Sequence, residues 1–194
     1  MDCRFVSPLE DLIMKRCCML FPARDVNNVN SNLKLCFETV RKLRPSDSMK
    51  VLKTWCNGWA TSTRLHASHA CPCLFGCSAR PDDLRHYVQC RHLNSICKYL
   101  WVDHSIDPLI TFGFLEPTVQ RYKHLCCIFS GYHAMRRHAA CDEAMQDVES
   151  LQSSQMRTLW AVFAEAYRAE ARELSLQSRH FLVHEFVSFL INHM

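Results

Sequence analysis

Glycine and proline are scarce, four and seven in 194 residues. A β-sandwich or barrel needs turn residues roughly every eight to twelve positions, so this supply is too thin for one, and a mainly helical chain is expected. Long apolar runs are missing as well. Glu10, Asp11, Lys15 and Arg16 divide the N-terminal stretch and remove a signal-peptide core. Nowhere does the chain reach the roughly 18 to 20 consecutive apolar residues of a membrane span. The expectation is an intracellular protein, nuclear or cytoplasmic, with no membrane contact. The apolar fraction of 48% still permits a buried core, which excludes collagen-like, low-complexity and wholly disordered classes.

Cysteine, by contrast, is plentiful, with thirteen residues. In a reducing compartment a cysteine cluster points to metal more than to disulfides, and the odd count agrees. Charge is unevenly spread. Residues 41 to 98 hold ten basic side chains against Asp47, Asp82 and Asp83, a balance of +7, while residues 99 to 194 hold eight against eleven. Concentrated positive charge is the electrostatic footprint of a nucleic-acid or anionic-surface binder.

Apolar periodicity predicts the helices. Residues 1–30 form an N-terminal extension ending in the polar connector NNVNSN, and Ser31 or Asn32 is expected to cap a helix running from Leu33 to near Arg44, where Pro45 stops it. Ser46 or Asp47 should cap a second helix through Trp55 and as far as Trp59. A helical segment with a metal loop thus spans 31–100. A helical C-terminal region spans 101–194. After a short helix around Ile96 to Trp101, ended by a turn at Asp107 to Leu109, Pro117 suits the first turn of a long helix. Its stripe runs Tyr122, Leu125, Phe129, Tyr132, Met135, Ala139. Leu159, Val162, Phe163, Ala166, Tyr167 and Leu174 mark another helix, with Glu170 on its surface, and residues 180–194 suggest a last one. His124, His133, His138, His180 and His184 lie in such helices without a matching ligand pattern, which favours packing roles.

The densest chemistry sits in CPCLFGCSARPDDLRHYVQC, residues 71–90. Cys73, Cys77, His86 and Cys90 read C-x3-C, then H-x3-C, two ligand pairs with the linker a tetrahedral structural Zn²⁺ site requires. Gly76 can supply the positive φ of a tight thiolate turn. A helix begun at Pro81, with Asp82 or Asp83 as its cap, would place His86 and Cys90 on one face. Cys71, Cys97, His66, His69 and His92 all stand near enough in sequence to replace one ligand, and Cys71 is the main alternative to Cys73. Catalysis is not indicated. A zinc deaminase pairs H-x-E with P-C-x-x-C, whereas the upstream residues here are His66, Ala67 and Ser68, and a serine cannot shuttle the proton. The spacings also lack a redox C-x-x-C. Four ligands close the coordination sphere, so a structural CCHC zinc knuckle without small-molecule substrate is expected. Around it, Arg64, Arg80, Arg85, Arg91 and Lys98, with Trp59 suited equally to a stacking platform and to the core, form a candidate interface for RNA or single-stranded DNA. Trp55 is expected in the core.

LKTWCNGWATSTRLH, then CPCLFGC, then DDLRHYVQCRHL resembles the C-terminal zinc-binding region of non-LTR retrotransposon reverse transcriptases, over about residues 50–95 and more faintly to 140. The matching positions are Asn57, Gly58 and Trp59, followed by Cys73, Cys77, His86 and Cys90. The resemblance implies a non-catalytic module that grips template RNA or target DNA, with a reverse transcriptase polymerase segment as a further partner. No Y-x-D-D carboxylate pair accompanies it, so a fragment or derivative without polymerase or endonuclease is expected. A zinc-stapled helical adaptor for protein partners is the alternative.

Overall fold

A computed structural model of the chain describes residues 8–22, 27–66, 71–77, 80–100, 107–141 and 151–174. The expected C-terminal helix with His180 and His184, and Trp101, lie outside the described residues, as do His69 and Ser68. Among the described residues eight helices form: α1 Pro8–Leu20, α2 Asn27–Val40, α3 Pro45–Trp55, α4 Leu84–Tyr87, α5 Arg91–Leu100, α6 Pro108–Thr111, α7 Val119–Cys141 and α8 Ser153–Glu173. The expected mainly helical class is what is observed, with two long helices after the cysteine-rich loop.

Several helix starts differ from the pattern-based expectation, each for a local reason. α2 begins at Asn27, because the asparagine-rich stretch is itself helical. Ser31 Oγ and Asn32 Nδ2 donate back to the Asn28 carbonyl at 2.9 Å, as interior polar residues do, rather than capping. α3 begins at Pro45, with Arg44 in an extended conformation at the cap position and no side-chain cap bond. The fixed φ of proline suits a first turn, and its missing N–H would have no partner there. Asp47 therefore lies within the helix, 1% exposed, and takes the Arg44 Nε ion pair at 2.7 Å. Pro117 precedes α7 rather than opening it. Thr118 Oγ1 accepts the Arg121 amide at 3.1 Å as the cap. Asp107 opens rather than ends a helical turn, its Oδ1 accepting the Leu109 amide at 2.9 Å.

α3 ends before Trp59, and the reason lies in Asn57-Gly58. The Asn57 amide donates to Thr54 O and the Gly58 amide to Lys53 O, the paired bonds of a Schellman motif. Asn57 takes φ +55°, a left-handed conformation that asparagine tolerates. A Cβ at Gly58 would sit 2.7 Å from the Lys53 carbonyl oxygen, so no other residue fits without displacing backbone. The chain is thereby turned so that Trp59 enters the interior.

α7 and α8 pack side by side. α7 is buried on more than one face, with Tyr122, Leu125, Tyr132, Met135 and Ala139 joined by Cys126, Cys127, Ile128 and Gly131. Gly131 lets Phe163 of α8 approach: an added Cβ would lie 2.6 Å from its ring. Glu170 is buried, not surface-exposed as periodicity suggested, because it pairs with Lys50 of α3 and accepts from Ser130 Oγ at 2.8 Å. Trp55 is fully buried in the core as expected, donating from Nε1 to Phe112 O at 2.8 Å and stacking on Phe114 at 5.2 Å. Ile13, Cys17 and Leu20 of α1 are buried in the same apolar cluster. No described helix is long and apolar enough to cross a membrane.

Candidate metal centre and its basic cleft

Residues 71–77 and 80–82 are held together by an antiparallel bridge between Pro72 and Pro81. The Cys73 amide donates to Arg80 O at 2.7 Å and the Asp82 amide to Cys71 O at 3.0 Å. At the tip, the Gly76 amide donates to Cys73 O at 3.0 Å, and Gly76 adopts φ +89°, the left-handed turn expected of it. This turn brings Cys77 back beside Cys73. Asp83 caps α4, accepting the Arg85 amide at 3.1 Å. α4 lasts one turn. His86 and Cys90 therefore do not share one helix face as the i, i+4 spacing suggested: α4 stops at Tyr87, the backbone turns through Val88 and Gln89, and Cys90 stands just ahead of α5, its carbonyl accepting the Asn94 amide at 2.8 Å.

The four side chains nevertheless converge. The ligand atoms of Cys73, Cys77, His86 and Cys90 all lie within 4.8 Å of one another. Cys90 Sγ is 4.0 Å from Cys73 Sγ and 3.6 Å from Cys77 Sγ. Those separations are far beyond the roughly 2.05 Å of a disulfide. They bracket the edge of about 3.8 Å that follows for a tetrahedron with metal–sulfur bonds of about 2.3 Å. His86 Nε2 is buried without a hydrogen-bond partner, an orphaned donor or acceptor of the sort a metal ion would satisfy. These four residues can hold a metal ion. Cys73 hydrogen-bonds to Cys77 and Cys90. That contact holds the Cys73 thiol far above its ordinary range, lowering Cys77 to about 4 and Cys90 to about 6.

Cys71 takes a different role. Its Sγ accepts from Arg136 Nη1 of α7 at 3.5 Å and its amide donates to Ser62 Oγ at 3.3 Å, so it stands outside the four-residue group. Between Cys71 and α7 lies a residue that pattern reading missed as a site residue. Asp82 is fully buried. Its Oδ1 accepts Tyr87 Oη at 2.6 Å and Tyr132 Oη at 2.9 Å, its Oδ2 accepts the Ser62 amide at 2.6 Å, and Arg136 Nε stands 3.5 Å away. Burial pushes this carboxyl above the usual aspartate range, against the pull of those hydrogen bonds. The carboxylate ties the cysteine-rich loop to α7. Nothing in the sequence distinguishes Asp82 from its neighbour Asp83, which does the capping.

For Trp59 the structure selects the core over the stacking platform. It is fully buried, its Nε1 donating to Thr54 Oγ1 at 3.0 Å and its indole stacked on Tyr132 at 4.5 Å. Its faces are filled by protein, so it offers no platform for a base. The loop tip is anchored too: Phe75 meets Tyr87 at 5.3 Å, Trp160 at 5.6 Å and Phe163 at 5.7 Å between ring centroids.

Arg80, Arg85 and Arg91 are exposed and line a single cleft of about 680 Å³ together with Cys77, His86 and Gln89, and with Asp83 as its only acid. Arg64 is exposed on the turn after Trp59 and does not line this cleft, and Lys98 belongs to α5 with its side chain outside the described residues. The arrangement is thus a helical chain with a Cys3His cluster opening on an arginine-lined cleft. No protein-family model, curated protein or solved structure matches it.

Proposed function

We propose that the Cys3His group binds Zn²⁺ as a structural ion, and that the chain is a non-catalytic module binding RNA or single-stranded DNA through the phosphates. The observation that carries the second part is the gathering of Arg80, Arg85 and Arg91 around one cleft beside the cluster. Zinc is favoured by the ligand chemistry: three thiolates and an imidazole suit a borderline-soft tetrahedral ion, whereas magnesium or calcium want oxygen. Three thiolates and a neutral imidazole sum to −1 around Zn²⁺, which leaves residues 41–98 strongly basic. With Trp59 buried, the binding rests on guanidinium–phosphate contacts instead of base stacking. The spacing of Asn57, Gly58 and Trp59 before Cys73, Cys77, His86 and Cys90 supports kinship with the zinc-binding region of non-LTR retrotransposon reverse transcriptases, and hence a nuclear or cytoplasmic protein acting beside a polymerase segment.

Salt dependence tests this. For single strands log K falls with log salt by about 0.7 per phosphate neutralised, so changing Arg80, Arg85 and Arg91 together to alanine should flatten the slope by about 2 and weaken binding of every sequence alike. A chain that does not bind a labelled single strand even at low salt, or a triple variant with an unchanged slope, overturns the reading.

A further inference from the structure

The four ligands are unequally sheltered. Cys73 and Cys90 are fully buried, whereas Cys77 keeps 8% exposure and is the one cysteine of the group that lines the arginine cleft. Its sulfur lies 3.6 Å from Cys90 Sγ, nearer than Cys73 Sγ does at 4.0 Å. An approachable sulfur with a sheltered second sulfur within 3.6 Å of it is the arrangement of an attacking and a resolving cysteine. The remaining buried cysteines of the core, such as Cys97 and Cys126, do not line the cleft.

We propose that Cys77 is a site of oxidation by hydroperoxides, with Cys90 as its resolving partner, so that the cluster acts as a reversible redox switch. In the first step the Cys77 sulfur attacks the peroxide. An S–O bond forms, the O–O bond breaks, hydroxide leaves, and Cys77 becomes a sulfenic acid. In the second, the Cys90 thiolate attacks that sulfur, an S–S bond forms, the S–O bond breaks, and a second hydroxide departs. Two thiolates have each given up one electron and one peroxide has been reduced. Cys73 and His86 alone are too few to retain the metal, so Zn²⁺ is released, and a dithiol reductant restores the thiolates. The guanidinium groups of Arg80 and Arg85 share the cleft in which each hydroxide leaves, and their positive charge favours its departure.

The metal-release part rests on the zinc reading above; the disulfide part does not. The experiment takes the full chain with Cys3, Cys18 and Cys141 changed to serine, which leaves the cluster untouched and removes two exposed thiols and the N-terminal one. It is loaded with zinc, treated with hydrogen peroxide, and followed with a chromogenic chelator and by peptide mapping. One zinc should be released per Cys77–Cys90 disulfide formed, and dithiothreitol with added zinc should reverse both. In Cys90→Ser a sulfenic acid should persist at Cys77 and be trapped by a cyclic diketone; R80A/R85A should oxidise several-fold more slowly. Retention of zinc with all cluster thiols intact, or a first disulfide containing Cys73, overturns the proposal. A chain that takes up no zinc refutes the metal reading alone, and the disulfide map on that metal-free chain still decides this one.

Discussion

Replacing Asp82 with alanine should be among the most damaging single changes outside the metal ligands. The carboxylate is fully buried and receives the Ser62 amide at 2.6 Å, Tyr87 Oη at 2.6 Å, Tyr132 Oη at 2.9 Å, and the Arg136 guanidinium at 3.5 Å. Alanine leaves two hydroxyls and a backbone amide without an acceptor and Arg136 without its counter-charge. Hydrogen bonds to a charged group contribute about 1.5–3 kcal/mol each, and removing one member of a buried ion pair costs about 3–5 kcal/mol. The effects overlap and the burial cost of the carboxylate itself is recovered, so a net loss of about 3–5 kcal/mol is expected. Urea unfolding at fixed zinc concentration measures it. Tyr132→Phe removes one of the bonds and should lose about 1.5–3 kcal/mol alone but much less on top of Asp82→Ala, giving a coupling of at least about 1 kcal/mol. A loss under about 1 kcal/mol for Asp82→Ala, or strict additivity of the pair, would refute the network as the tie between loop and α7.

Metal content separates the ligands: Cys77→Ser and Cys90→Ser should lose the single zinc together with much of the folding stability, whereas Cys71→Ser and Cys126→Ser should keep it, by atomic absorption of the purified chains. Gly58→Ala should destabilise by about 1–3 kcal/mol, because its Cβ meets the Lys53 carbonyl at 2.7 Å and the backbone must shift; thermal melts check it. His133 is held down to about 4 by burial, below the roughly 6.5 of an unfolded chain, so the unfolded state takes up the proton first as pH falls. Stability from the neutral ring is complete above pH 6.5 and is lost on going down to pH 4. The Tm difference between wild type and His133→Gln should shift across that window and nowhere else.

Much of the helical layout could be read from apolar spacing, because the stripes on α7 and α8 repeat through about five and about four turns. The ends were harder to read. Pro45 and Pro117 have the same chemistry, yet one opens its helix and the other stands before the cap, and that choice depends on Arg44 and Thr118, not on the prolines. The four clustered residues were legible because metal ligands come in pairs with short spacings. Their backbone was not: His86 and Cys90 are four apart, yet α4 ends at Tyr87, between them. Trp59 shows the limit of pattern reading in basic segments. An aromatic residue among arginines suits a nucleic-acid surface and a core equally in sequence, and it was the turn at Asn57-Gly58, two residues before it, that sent it inward. Asp82 carried no signal at all, since burial of a carboxylate depends on donors from Ser62, Tyr132 and Arg136, up to 54 positions away.

Phe75 settles how portable the cysteine loop is. Because the tip of the turn is wedged among Tyr87, Trp160 and Phe163, the loop's own Tyr87 closes only part of its interior face and α8 closes the rest. A peptide cut at residues 71 and 90 would present Leu74, Phe75, Leu84 and Val88 to water and should fold poorly even with the ion bound. Grafting the loop onto another scaffold would require carrying the aromatic socket with it, and lengthening the turn between Cys73 and Cys77 would pull the plug from that socket. Ion and socket must therefore change together in any functional descendant of this chain.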